Sequence, residues 1–180
     1  MTLHPRQPRP SAGGRDVSPH DLLATIVADC ARTRRVQGHP PLTTVLDVPE
    51  DHAVEVDPAQ VRRVLEPLVK RAFAAAAQPD AGREVTAVRE VVVTSVATGD
   101  AFEIEVADSG PGLADHVRRW LSQTGPSTDG TVPEGAGLAL AAVRAAAARI
   151  GGTLRAVNCP EGGVAITLRL PCRQARRLAA

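Results

Sequence analysis

Aromatic side chains are almost missing: the chain holds only Phe73, Phe102 and Trp120, and no tyrosine. Its core must therefore be packed from Val, Leu and Ala, and few ring faces remain for stacking on bases. An excess of one charge is missing too. The formal net charge is +1, which gives no argument for a nucleic-acid partner. No apolar run approaches the roughly 20 residues that span a bilayer, and no leader pattern is seen, so membrane insertion is not expected. Cys30, Cys159 and Cys172 stand at no metal or redox spacing. Free thiols in a reducing cytoplasm are the expected state, which makes the localisation cytoplasmic.

What is present suffices for one domain. With 180 residues, 43% of them apolar and 23% charged, the chain can bury roughly 70% of its extended surface. Residues 1–16 are rich in Pro, Arg and Gly with little to bury, and read as a disordered arm. The foldable part runs over 17–171, followed by a short tail at 172–180.

A helix is expected from Ser18 or Asp21 to about Arg35, with Leu22, Leu23, Ile26, Val27 and Cys30 on one face. A strand follows at Thr43 to Val48. The next helix has a written start: Asp57 as cap, Pro58 in the first turn and Gln60 as capping-box partner. Val61, Val64, Leu65, Leu68, Val69 and Ala72 give its apolar stripe, interrupted by Pro67, which should bend it. Two strand-like runs, EVTAVREVVVTSVA and AFEIEVAD, are joined by a turn at Gly99. Beyond them stand a short helix at Ala114 to Leu121, a loop at Ser122 to Gly135 and a helix at Leu138 to Ile150. Strands at TLRAVN and VAITLRL close the chain. The pattern is α/β: a two-layer sandwich whose mixed, mostly antiparallel sheet has three helices on one face and Thr94, Glu103, Glu105 and Arg169 on a wet one.

Two places carry chemistry. In AFEIEVADSGPG, counting by twos from Phe102 through Ile104 and Val106 puts Asp108 on the buried side. A carboxylate there needs a partner, because unpaired burial costs several kcal/mol. An N–H of the following turn would serve. So would a ligand offering donors, such as an exocyclic amine. Gly110 and Gly112 allow close backbone approach beside it. The second place is PEGAGLALAAV. Gly135 and Gly137 precede a helix whose first N–H groups lack internal partners, a ready anion site.

Together these features resemble the histidine-kinase type of ATPase domain, the family shared with gyrase, the Hsp90 chaperones and MutL. DSGPG is similar to its D-x-G-x-G box and GAGLAL to its G-x-G-L-G-L box. ARIGGTLRAVNCPEGGVAITLRLP resembles the usual ending, and DPAQVRRVLEPLVKRAFAAA resembles D-x-x-x-L-x-x-V-L-x-N-L-x-x-N-A. The likeness covers roughly residues 17 to 171 and implies the Bergerat ATP-binding fold. It implies that Asp108 accepts from the adenine amine and that Gly110 and Gly112 shape the pocket floor. Gly135 and Gly137, with Leu138 beside them, would face the phosphates, and Ser122 to Glu134 would form the lid.

The departures lie at the metal end. The asparagine that would hold Mg²⁺ falls at Arg71, and the earlier one at Pro67, where the water-activating glutamate would also stand. A guanidinium offers no lone pair to a cation, so Mg²⁺ is in doubt. Arg71 would instead donate to a phosphate or pair with an internal acid. Lys70 reads as a solvated charge, and Glu66 is the nearest acid for an ion. The last glycine of the second box is Ala139.

The implied function is therefore an ATP-binding catalytic-type domain of a histidine-kinase-like signalling protein, with weak or no transfer to a histidine. That histidine would sit on a helical partner or in sequence outside this chain. The alternatives are a non-catalytic adaptor docking another signalling protein, and an anti-sigma-factor-like serine kinase. Whether the chain is an enzyme stays open at this stage. The histidines stand at no ligand spacing, Ser109 lacks a nucleophile elbow, Trp120 should anchor the base of the lid, and Arg118 and Arg119 read as a wet face.

Overall fold

The computed structural model describes residues 16–50, 52–55, 57–78, 88–124, 131–171 and 176–177. The expected arm, except Asp16, lies outside the described residues. So do 84–87 of the first strand-like run, 125–130 of the expected lid, and the tail apart from 176–177.

Helix α1 (Pro19–Val36) starts where Ser18 accepts a hydrogen bond from the Asp21 N–H at 3.2 Å. Helix α2 (Pro58–Ala76) is capped by Asp57, whose Oδ1 accepts from the Ala59 N–H at 2.9 Å. The reciprocal Gln60 bond of a capping box does not form among the described residues. Pro67 lies inside α2, and the helix runs on through it. Burial explains why the helix survives. Val64, Leu65 and Val69 have no exposure at all, and each such side chain stabilises by about 1.5–3 kcal/mol, enough together to offset one lost ladder bond.

Five strands form the main sheet in the order β2 (Thr43–Asp47), β4 (Glu90–Thr98), β5 (Ala101–Asp108), β7 (Val164–Pro171), β6 (Thr153–Asn158). β2 runs parallel to β4, and the other pairs are antiparallel. This is the mixed, mostly antiparallel sheet expected from the sequence. A second, three-stranded sheet was not legible there: β1 (Asp16–Val17), β3 (His52–Glu55) and β8 (Arg176–Arg177).

The inner face of the central strand β5 presents Phe102, Ile104 and Val106, all buried. Helix α2 covers this face, with α1 on one flank and α4 (Gly137–Arg149) on the other. Leu23 and Ile26 from α1 and Leu140 and Val143 from α4 complete the core. The outer face is polar. Arg169 binds Glu103 at 2.7 Å and also Asp100, while Thr167 donates to Glu105.

Helix α3 (Asp115–Ser122) lies beside the edge strand β6, where the Ser122 hydroxyl accepts from the Ala156 N–H at 3.0 Å. An edge donor is thereby satisfied without another strand. Trp120 is half-buried against the core, and the Arg144 guanidinium stands 4.8 Å from its ring centroid, a cation–π contact. Cys30 and Cys159 are free thiols, each pushed up from its ordinary pKa mainly by burial. Cys172 lies outside the described residues.

Candidate functional site

Asp108 closes β5 at its C-terminal end, flanked by Val91 of β4 and Val164 of β7. The alternation that buries Phe102, Ile104 and Val106 carries on to it, and its side chain has no exposure. It is the one charged or polar residue counted as buried among those described. Two donors satisfy it. The Gly110 N–H reaches Oδ1 at 2.9 Å, and Arg71 Nη1 reaches Oδ2 at 2.7 Å. The first is the turn N–H that the sequence left open. The second comes from α2, 37 residues earlier. Arg71 is itself only 17% exposed, so this is an ion pair in a low-dielectric setting, short and charge-assisted.

The turn after Asp108 is held on every side. Ser109 continues the ladder: its N–H donates to the Glu90 carbonyl at 3.1 Å, and its hydroxyl accepts from the Glu90 N–H at 2.9 Å. That is a structural duty and not a nucleophile's. Gly110 passes so close to α2 that a Cβ there would stand 2.7 Å from the Ala75 backbone. Leu113 is gripped by Asn158, whose amide accepts from the Leu113 N–H at 3.0 Å and donates to its carbonyl at 2.9 Å. The same amide lies against Gly112. In the β6–β7 turn, Gly163 has φ +87°, and a Cβ on it would fall 1.7 Å from the Asp108 carbonyl oxygen. Sequence reasoning missed Asn158 and Gly163 as parts of this site. The Gly-Gly pair after a strand-ending Asn was the available signal.

The other candidate residues sit at the start of α4. Gly137 is its first residue, and the preceding Ala136 supplies no side-chain cap. Gly135, Gly137 and Ala139 are exposed, and Leu138 is 87% exposed, while Ala136 and Leu140 anchor the turn in the core. His116 Nε2 lies 2.9 Å from the Glu134 carbonyl, tying α3 to the segment that enters α4. The first-turn N–H groups of α4 thus face outward with the positive end of the helix dipole. No hydrogen bond joins this tip to Asp108 among the described residues.

The metal end offers little. Glu66, the nearest acid, binds Lys70 at 2.7 Å and Arg62 at 2.9 Å. Those two bonds, Lys70 first, hold its carboxyl below the ordinary glutamate value. It lines a cavity facing α1, to which neither Arg71 nor Asp108 contributes. Among the described residues no three metal-ligating side chains come together. Lys70 is 63% exposed and solvated, as its position outside the apolar stripe predicts. Arg118 pairs with Asp115 along α3 and is half-buried rather than on a fully wet face. No helix among the described residues is long and apolar enough to cross a membrane.

Comparison with known proteins gives the family and the fold. The family described as histidine kinase-, DNA gyrase B-, and HSP90-like ATPase matches residues 56–174. The sensor histidine kinase component HK1 of Mycobacterium tuberculosis is 33% identical over 122 residues, covering 67% of this chain and 66% of that protein. A hybrid signal transduction histidine kinase D of Dictyostelium discoideum is 28% identical over 131 residues, only 8% of its length. The chain thus spans at most about two thirds of the curated relatives it matches. Among solved structures, the ATP-binding domain of PrrB from M. tuberculosis superposes with a TM-score of 0.64 at 24% identity, over 89% of this chain and 98% of that one. Full-length ShkA in complex with AMPPNP gives 0.67 at 22% identity, over 91% of this chain and 32% of that one. These structural likenesses establish the fold.

Proposed function

Because the chain belongs to the histidine kinase-, DNA gyrase B-, and HSP90-like ATPase family, we propose that it binds ATP between Asp108 and the tip of α4, with Arg71 at the position where the resemblance implies a metal asparagine. Phosphoryl transfer to a histidine on a helical partner is then weak or absent. One observation carries this reading: Arg71 Nη1 lies 2.7 Å from Asp108 Oδ2. A guanidinium committed to that carboxylate supplies no oxygen to Mg²⁺. Without a cation, developing charge on the γ-phosphoryl loses its main stabiliser, while binding of adenine and phosphates need not.

Each remaining residue has a definite task. An ionised carboxylate has about four acceptor sites, and Asp108 uses two in its bonds to Arg71 and Gly110. A third can take an adenine amine, provided that the turn or the guanidinium shifts enough to open the closed side chain. Gly110 and Gly112 keep the turn thin beside it. Gly135, Gly137 and Leu138 direct backbone N–H groups at the phosphates.

Titration of the unaltered protein with ATP and with inosine triphosphate, which has an oxygen in place of the amine, tests this assignment. A hydrogen bond to a charged group contributes about 1.5–3 kcal/mol, so inosine triphosphate is expected to bind at least tenfold more weakly. Asp108→Asn should abolish the difference while circular dichroism shows the fold retained. Equal affinity of the two nucleotides for the unaltered protein would remove Asp108 from the site.

A second reading rests on a specific observation. Asp108 has no exposed side-chain surface and already has both partners. A domain fixed in that state would be a non-catalytic adaptor that docks another signalling protein. Absence of any nucleotide binding in the same titration selects this alternative.

A further inference from the structure

We propose that the cleft between α1 and α2 is a second binding site, one that takes a small organic anion with an apolar body. The cleft encloses about 740 Å³, within the range of small-molecule sites. None of the residues assigned above to ATP lines it. Its apolar wall is made by Ile26 and Phe73, both almost fully buried.

The charges on its walls fall into two groups. The first is a closed ladder. Arg32 binds Asp29 at 2.6 Å, Arg62 lies between Asp29 and Glu66, and Lys70 binds Glu66 at 2.7 Å. These five largely compensate one another. The second group is Arg34 and Arg89, and it has no acid. Arg34 Nη2 donates to the Pro40 carbonyl at 3.0 Å, and Arg89 Nη1 to the Ala77 carbonyl at 3.3 Å. Neither has a carboxylate partner among the described residues. Arg34 Nε is moreover shut off from solvent with nothing to receive its proton. A buried donor left unpaired is costly, and an acceptor bound beside this guanidinium relieves that cost once Nε turns toward it.

Two guanidinium groups steadied by backbone carbonyls, beside an apolar wall, suit a planar oxyanion joined to a ring or short hydrocarbon. The ladder matters as well. It holds Arg32, Arg62 and Lys70 away from the anion's place, so that recognition falls to Arg34 and Arg89. Phosphate and carboxylate groups share this chemistry, and the site is assigned to that shared class.

The test is an amide NMR titration of the full chain with phenyl phosphate, phenylacetate, phenol and inorganic phosphate. Phenyl phosphate or the carboxylate should saturate, with shifts confined to residues 26–40, 62–77 and 89. Phenol and inorganic phosphate should each bind about tenfold more weakly, since each lacks one of the two halves. Saturating ATP should leave the affinity unchanged. In Arg34→Ala and Arg89→Ala, binding should weaken about tenfold while the remaining spectrum is preserved. Shifts without saturation, shifts centred on residues 135–140, competition by ATP, or equal binding of inorganic phosphate and phenyl phosphate would each overturn the proposal. The ligand comparison uses the unaltered protein, so a variant that fails to fold does not rescue it.

Discussion

Arg71→Met is expected to destabilise the fold by about 3–5 kcal/mol, because it strands a charge in the interior. The Asp108 side chain has no exposure, and after the substitution only the Gly110 N–H would remain to it. The methionine fills most of the volume of the arginine stem, so lost packing is the smaller part. Removing both charges together separates the two effects. In Arg71→Met/Asp108→Asn the buried carboxylate is gone, and a neutral amide still accepts from Gly110. The double variant should therefore be more stable than Arg71→Met alone by at least about 1 kcal/mol, the mark of coupled neighbours. Urea unfolding of the four proteins reads this cycle. A loss under about 1 kcal/mol for Arg71→Met would mean that Asp108 finds water or another donor, and the ion pair would lose its place in the account.

Gly163→Ala should be worse still. Its Cβ would lie 1.7 Å from the Asp108 carbonyl oxygen, on backbone at φ +87°. Backbone on both sides is fixed in the central ladder, where Asp108 pairs with Val164. Neither wall can give, so the loss should exceed about 4 kcal/mol, a size that only such clashes reach. Gly137→Ala is the matched control. Gly137 has φ +69°, but a Cβ there would meet nothing within 4 Å. Only the left-handed backbone penalty applies, about 1–2 kcal/mol. Thermal unfolding of the two variants compares them directly. Equal losses would show that the β6–β7 turn moves freely away from Asp108.

The legible part of this molecule is the part written locally. Alternation along FEIEVAD put Asp108 on the inner face, and the structure buries it there. Asp57 and Pro58 announced the start of α2, and the apolar stripe from Val61 to Ala72 told which side packs. What stayed open depended on distance in sequence. Nothing local could decide whether Asp108 would take a turn N–H or a side chain from α2, and it takes both. Strands of two to four residues, such as β1, β3 and β8, are too short to leave a readable period. Asn158 reads as an ordinary strand end until Leu113 is brought beside it. The α1–α2 cleft is a property of two helices together, and neither stripe hints at it. Glu66 was the nearest acid by counting. One position along a helix turned it toward Arg62 and Lys70 instead.

Calorimetric titration of ATP in Mg²⁺ and in excess chelator tests most directly the proposal that Arg71 stands in for a metal ligand. The affinities in the two conditions are expected to agree within about threefold, a difference of less than 1 kcal/mol. Tight binding with Mg²⁺ that disappears on chelation would contradict it, since an ion would then hold the phosphates despite the guanidinium beside Asp108.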